Sequence, residues 1–117
     1  MKSLLVIDDS PLILAAANAG LRGRFDVATA ASGAEGVRTA VIDRPDAILL
    51  DVEMPDLDGA ATLRALRNRA ETYDVPVVFL TAGEPPAAAG EGPAGVIAKP
   101  FAPAELADRV DEVLRWG

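Results

Sequence analysis

Five residues of this chain have the types and positions to do chemistry together. Asp8 and Asp9 follow the apolar run Leu4-Leu5-Val6-Ile7, and Asp51 follows Ala47-Ile48-Leu49-Leu50. Thr81 follows Val77-Val78-Phe79-Leu80, and Lys99 follows Val96-Ile97-Ala98. Three carboxylates in one crevice repel each other unless a cation or a shared proton intervenes. A divalent ion held by oxygen resolves that repulsion, and a small site that keeps its waters suits magnesium. Lys99 neutralises an anion without ligating a metal, and Thr81 supplies a hydroxyl. Carboxylates, a hard cation, an ammonium and a hydroxyl make a phosphoryl-handling site. Asp51 then has the role of a nucleophile that takes the phosphoryl group as an acyl phosphate. Taken singly, each residue has a plainer reading as a cap, a turn or a solvated surface group. Their shared position after apolar runs is what carries the chemical one.

The runs themselves must be strands. A short, wholly apolar segment ending in a polar residue reads as a central strand covered on both faces, as in parallel sheets. Such sheets place their chemistry at the carboxyl ends of the strands. Strands are expected over residues 3–7, 25–30, 47–51, 77–81 and 96–98, with Pro76 opening the fourth. Helices alternate with them. Ser10 caps the first, with Pro11 at its first position, and it covers Pro11 to about Leu21, stopping near Gly20 or Gly23. Ser32 and Glu35 form a capping box for the second, whose inner face is Val37, Val41 and Ile42 and which Pro45 closes. Asp58 caps the third, with Leu63 and Leu66 facing inward, and Met54 is a packing residue. The last runs over 103–116 with Leu106, Val110, Val113 and Leu114 inward. Between Thr81 and Val96 stands Pro85-Pro86-Ala87-Ala88-Ala89-Gly90-Glu91-Gly92-Pro93, which permits at most about two turns of a fourth helix before glycine and proline end it. The fold class is therefore α/β: a doubly wound five-stranded parallel sheet, order 2-1-3-4-5, with helices on both faces and helix four short or irregular.

The bulk numbers narrow the partners. At 117 residues the chain is long enough for one domain, 1–117, with a real core. It has no cysteine and no histidine, which excludes disulfides, thiolate chemistry and the commonest zinc ligand, and leaves oxygen-held magnesium, manganese or calcium. A formal net charge of −7 disfavours direct nucleic-acid binding. No stretch reads as a signal peptide or a membrane span, so a cytoplasmic location is expected. No glycine-rich phosphate loop follows the first strand, which weakens a nucleotide or flavin role.

The chain resembles a response regulator receiver domain over essentially its whole length. The pieces that carry the resemblance are Leu5-Val6-Ile7-Asp8-Asp9-Ser10, Pro45-Asp46-Ala47-Ile48-Leu49-Leu50-Asp51, Met54-Pro55-Asp56-Leu57-Asp58-Gly59, Pro76-Val77-Val78-Phe79-Leu80-Thr81-Ala82 and Lys99-Pro100-Phe101. The resemblance implies that Asp51 is the phosphoacceptor. It implies that Asp8 and Asp9, with Asp9 the more direct ligand, hold Mg2+ (Mn2+ as the alternative) together with Asp51 and the backbone carbonyl of Glu53. Thr81 resembles the residue that contacts the phosphoryl group, Lys99 the lysine that pairs with it, and the Lys99–Pro100 bond is cis in such domains. The implied donor is a histidine kinase or phosphotransfer protein, and the implied output is a target protein or an output domain outside this chain. The protein would be a monomer or weak homodimer, with no membrane contact, and would not be an enzyme beyond its own phosphorylation and dephosphorylation.

Two features depart from the family pattern. Val96 stands three residues before Lys99, where the family usually carries an aromatic side chain that swings inward. The interval from Thr81 to Lys99 is also about one helical turn shorter than the family's. Both fall on the family's usual output face, so signalling through another surface, such as the first helix or the loops at the active end, is expected. Glu53 and Gly83, two residues after Asp51 and Thr81, stand near the path of the hydrolytic water in the family. Two other functions compete: an interaction module of the same fold with degenerate or atypical phosphorylation switching, and a hydrolase in which Asp51 turns over a small phosphate ester. The second lacks any visible substrate cap or general base.

Overall fold

The computed structural model describes residues 1–83 and 93–116. Among the described residues there are five strands: β1 Ser3–Ile7, β2 Asp26–Ala30, β3 Ala47–Asp51, β4 Val77–Thr81 and β5 Gly95–Ala98. The helices among them are α1 Pro11–Leu21, α2 Gly33–Asp43, α3 Gly59–Arg67 and α4 Pro103–Leu114. The expected short helix between β4 and β5 falls on residues 84–92, outside the described residues. All strands pair in parallel, in the order β2-β1-β3-β4-β5. No helix among the described residues is long and apolar enough to cross a membrane.

The period of two along each strand builds two cores. Leu4 and Val6 of β1, Leu49 of β3, and Val78 and Leu80 of β4 face α1 and α4, where Ala17, Leu21, Leu106 and Val110 complete the layer. Leu5 and Ile7, Ile48 and Leu50, and Val77 and Phe79 face α2 and α3, where Ala40, Leu63 and Leu66 close the other layer. Every residue of β3 and β4 is buried, which is why these strands read as unbroken apolar runs. β5 is an edge strand, and only Ile97 of its four residues is buried.

The helix starts follow their capping residues. Ser10 Oγ accepts from the Ile13 N–H, Ser32 Oγ from Glu35 and Asp58 Oδ1 from Ala61. The inner face of α2 is only partly as expected: Val37 packs against the core. Ile42 is 79% exposed, and the buried positions are Gly33, Gly36 and Ala40. The reason is proximity: a Cβ on Gly36 would run into the Ile7 side chain, so the helix lies too close to the sheet for a larger inward residue. α1 runs Pro11–Leu21 as expected, and at Gly20 its backbone meets Pro103 at the start of α4. α4 ends at Leu114, shorter than expected, with Arg115 in the left-handed region at φ 57° and Trp116 turned back against Phe25.

Candidate phosphoryl and metal site

Strand register brings the site together. Ile7 pairs with Leu50, so Asp8 leaves β1 beside the end of β3, where Asp51 stands opposite Leu80. Thr81 pairs with Ala98, and the Lys99 N–H donates to the Thr81 carbonyl at 2.8 Å. Four neighbouring strand tips therefore deliver the carboxylates, the hydroxyl and the ammonium anticipated from sequence.

Asp8 is fully buried. Its Oδ1 accepts from the Ser10 N–H at 2.9 Å, an Asx turn that orients the carboxylate. Its Oδ2 lies 2.8 Å from Lys99 Nζ. That contact is an ion pair without hydrogen-bond alignment, and the oxygen keeps unused acceptor capacity. Asp51 is nearly as buried, and its Oδ1 accepts both from Lys99 Nζ at 3.0 Å and from the Glu53 N–H at 3.2 Å. Asp9 is exposed at the rim. One carboxylate oxygen from each of Asp8, Asp9 and Asp51 lies within 4.8 Å of the others. The Thr81 hydroxyl is buried and turned toward Gly83, accepting from its N–H at 3.1 Å and donating to its carbonyl at 3.3 Å. The Lys99–Pro100 peptide bond is cis.

Electrostatics follow from that geometry. Burial is the largest influence on Asp51 and pushes its pKa up, against the Lys99 ammonium and the Glu53 N–H, with the Asp8 charge adding to the rise. Burial pulls the Lys99 pKa down, but the carboxylates of Asp8 and Asp51 outweigh it and the net shift is upward, so the ammonium stays charged. Three carboxylates and one ammonium leave two negative charges uncompensated. The donors are hard oxygens, two of the three acids are buried, and one buried oxygen lacks an aligned partner. These residues fit a divalent ion.

Glu53 has an exposed side chain, and Lys99 turns to Asp8 and Asp51. Met54 is buried in the core facing α2 and α3, as expected of a packing residue. Val96 is 40% exposed on the edge strand and pairs in register with Phe79. Sequence reasoning passed over Asp56, treating it as a loop residue. Its carboxylate reaches across to α2 and accepts from the Gly33 and Ala34 N–H groups at 3.2 and 3.1 Å. The available signal was an acid in the loop after β3 in a chain whose next helix already has its own cap at Asp58.

The sequence pattern of the response regulator receiver domain matches residues 4–111. The transcriptional regulatory protein PrrA of Mycobacterium tuberculosis is 45% identical over 117 residues, covering 96% of this chain and 49% of its own length. This chain spans about half the length of the curated relatives it matches. Among solved structures, the chemotaxis response regulator CheY4 of Vibrio cholerae superposes with a TM-score of 0.86 at 31% identity, covering 97% of this chain and 98% of that one. The receiver domain of the sensor histidine kinase PA1611 of Pseudomonas aeruginosa, solved with a magnesium ion coordinated in its active site cleft, has a TM-score of 0.81 at 34% identity, covering 98% of this chain and 96% of that one. With its sheet order, its acid cluster and its bridging lysine, the chain belongs to the response regulator receiver domain family, the phosphoryl-accepting signalling modules of two-component systems.

Proposed function

We propose that Asp51 is the phosphoacceptor and that residues 1–117 act as one receiver domain. The observation that carries this reading is the Lys99 ammonium held between Asp8 and Asp51, at 2.8 and 3.0 Å, beside an acid cluster with uncompensated charge. A carboxylate oxygen of Asp51 attacks the phosphorus of a phosphohistidine on a histidine kinase or phosphotransfer protein. The P–N bond breaks, the imidazole leaves and takes up a proton, and an acyl phosphate remains on Asp51. Lys99 balances charge on the transferring oxygens. The Thr81 hydroxyl gives up Gly83 and turns toward the phosphoryl group. Asp8, Asp9, Asp51 and the backbone carbonyl of Glu53 would hold Mg2+, with Mn2+ as the alternative, and the bound ion would supply electrostatic stabilisation to the transferring group. The magnesium ion in the cleft of the PA1611 receiver domain supports that choice of metal.

The reading extends to a cytoplasmic protein, monomeric or weakly dimeric, that signals through a target protein or through an output domain outside this chain. The regulatory role named for PrrA supports a link to transcription through such an output domain, while the charge of −7 speaks against nucleic-acid contact by this segment. A second reading, an interaction module with atypical switching, draws support from Val96 in place of an aromatic and its 40% exposure.

Incubation with acetyl phosphate and Mg2+ tests the first reading. One phosphoryl group should add to the intact protein, detected by mass, and none to Asp51→Ala. A protein that takes up no phosphoryl group, or takes it up equally well in the variant, sinks it and favours the second.

A further inference from the structure

The loop that leaves β3 is tied to a helix other than the one it enters. Residues 52–58 run from the end of β3 to the cap of α3. Val52 and Met54 are buried, but Glu53, Pro55, Asp56 and Asp58 are exposed. The far end is anchored by Asp58 on the Ala61 N–H and by the Gly59 N–H on the Val52 carbonyl. In between, the Thr62 hydroxyl donates to the Leu57 carbonyl at 3.3 Å, and the tie to α2 is Asp56, whose two oxygens take the Gly33 and Ala34 N–H groups.

Those two donors are the first two of α2, groups without intrahelical partners. The helix's own cap, Ser32, takes only the third, Glu35. Asp56 thus completes the capping of α2 from outside. Its anion suits the positive end of the helix, and the Ala34 and Leu57 N–H groups hold its pKa below the usual carboxylate range. The two segments are in direct contact. A Cβ on Gly33 would lie 2.6 Å from both Leu57 Cβ and Thr62 Oγ1, so only glycine lets the helix start close against the loop.

We infer that Asp56 is a positioning residue: by bonding the first N–H groups of α2 it holds the loop in the form that aims the Glu53 carbonyl at the divalent ion. The inference rests on the metal site proposed above. Without Asp56 the loop keeps the Glu53 N–H on Asp51, the buried Met54 and the Thr62 hydroxyl on the Leu57 carbonyl, but it loses its hydrogen bonds to α2, and the site's one backbone ligand is aimed less firmly.

Magnesium titration of the full chain, followed by amide chemical shifts, tests this alongside hydrogen exchange of the metal-free protein. Asp56→Ala should weaken Mg2+ affinity about tenfold, the lower end of what outer-shell partners contribute. It should also speed exchange at Gly33, Ala34 and residues 53–57. Asp56→Asn keeps one carbonyl acceptor and should fall between Asp56→Ala and the wild type. Ser32→Ala uncaps the same helix without touching the loop, so it should speed exchange in α2 and leave Mg2+ affinity unchanged. A folded Asp56→Ala with wild-type affinity overturns the inference, as does an equal loss in Ser32→Ala. If Asp56→Ala does not fold, Asp56→Asn decides in the same way. A wild-type protein that takes up no Mg2+ removes the proposed metal site and this inference together, whereas a wild type that binds it and variants that bind it equally remove only the inference.

Discussion

Asp51 is pulled in opposite directions by its surroundings. Burial raises its pKa, while Lys99 and the Glu53 N–H favour the ionised form. An acid whose folded-state pKa lies above its unfolded value binds more protons when folded, so stability falls as pH rises through that interval. At neutral pH the acceptor charge therefore costs stability. Asp51→Asn, which does not ionise, should be at least as stable as the wild type at pH 7 in metal-free buffer. The difference should shrink as pH drops below the unfolded carboxylate value of about 3.9. Urea denaturation at the two pH values measures this. A loss of more than about 1 kcal/mol at pH 7 would mean that the Lys99 contact outweighs burial, since a change of that size needs a named cause. At this scale the identity of the site residues was legible, because each follows an apolar run. The bridging of Asp8 and Asp51 by Lys99 was not, because the two contacts span 91 and 48 positions of sequence.

Among the elements, α1 and α4 depend most on close approach. Gly20 sits inside α1, where alanine would be the better helix former by about 1 kcal/mol. Yet its Cβ would collide with the Pro103 carbonyl, which is backbone and does not move aside as a side chain does. Gly20→Ala should therefore destabilise the protein, by about 1–3 kcal/mol, the usual cost of overpacking. Guanidinium denaturation reads the change, and a gain in stability would show that α4 shifts freely. Around that contact Arg24 pairs with Asp108 and Asp111, both at 2.8 Å, and Trp116 packs on Phe25 with the Lys2 ammonium 4.7 Å above its ring. These contacts fasten α4 to the α1–β2 connection. Helix existence and the extent of α1 were readable from caps and spacing, but the close approach of Pro103 to Gly20 was not, because it is set by the partner helix. A similar blindness turned Ile42 of α2 inward and passed over the buried Gly33, Gly36 and Ala40, since small residues look neutral until a neighbour presses against them.

At the scale of the whole molecule, the site lies at one end of the sheet and the route of its signal follows from what surrounds it. Val96 is a small side chain on an exposed edge strand, and α4 is fastened to α1. Phosphorylation should then alter the loops at the active end and α1 more than the β5 edge. Adding beryllofluoride and Mg2+ and following amide chemical shifts tests this. Large changes confined to β5 and the neighbouring face would overturn it. The exposed Asp9, Glu53, Asp56 and Asp58 mean that any partner bound at the active end meets an acidic surface.

The chain's linear order determined the strands, their alternation with helices and the residues at the strand tips, because a strand buried on both faces carries its signature in every residue. It also determined the ligand class, since a chain without cysteine or histidine has only oxygen to offer a metal. Only the tertiary structure decided how closely the helices lie on the sheet, where Lys99 points, and that Asp56 caps a helix 22 residues before it. Those are relations between segments distant in sequence, and local pattern holds no record of them.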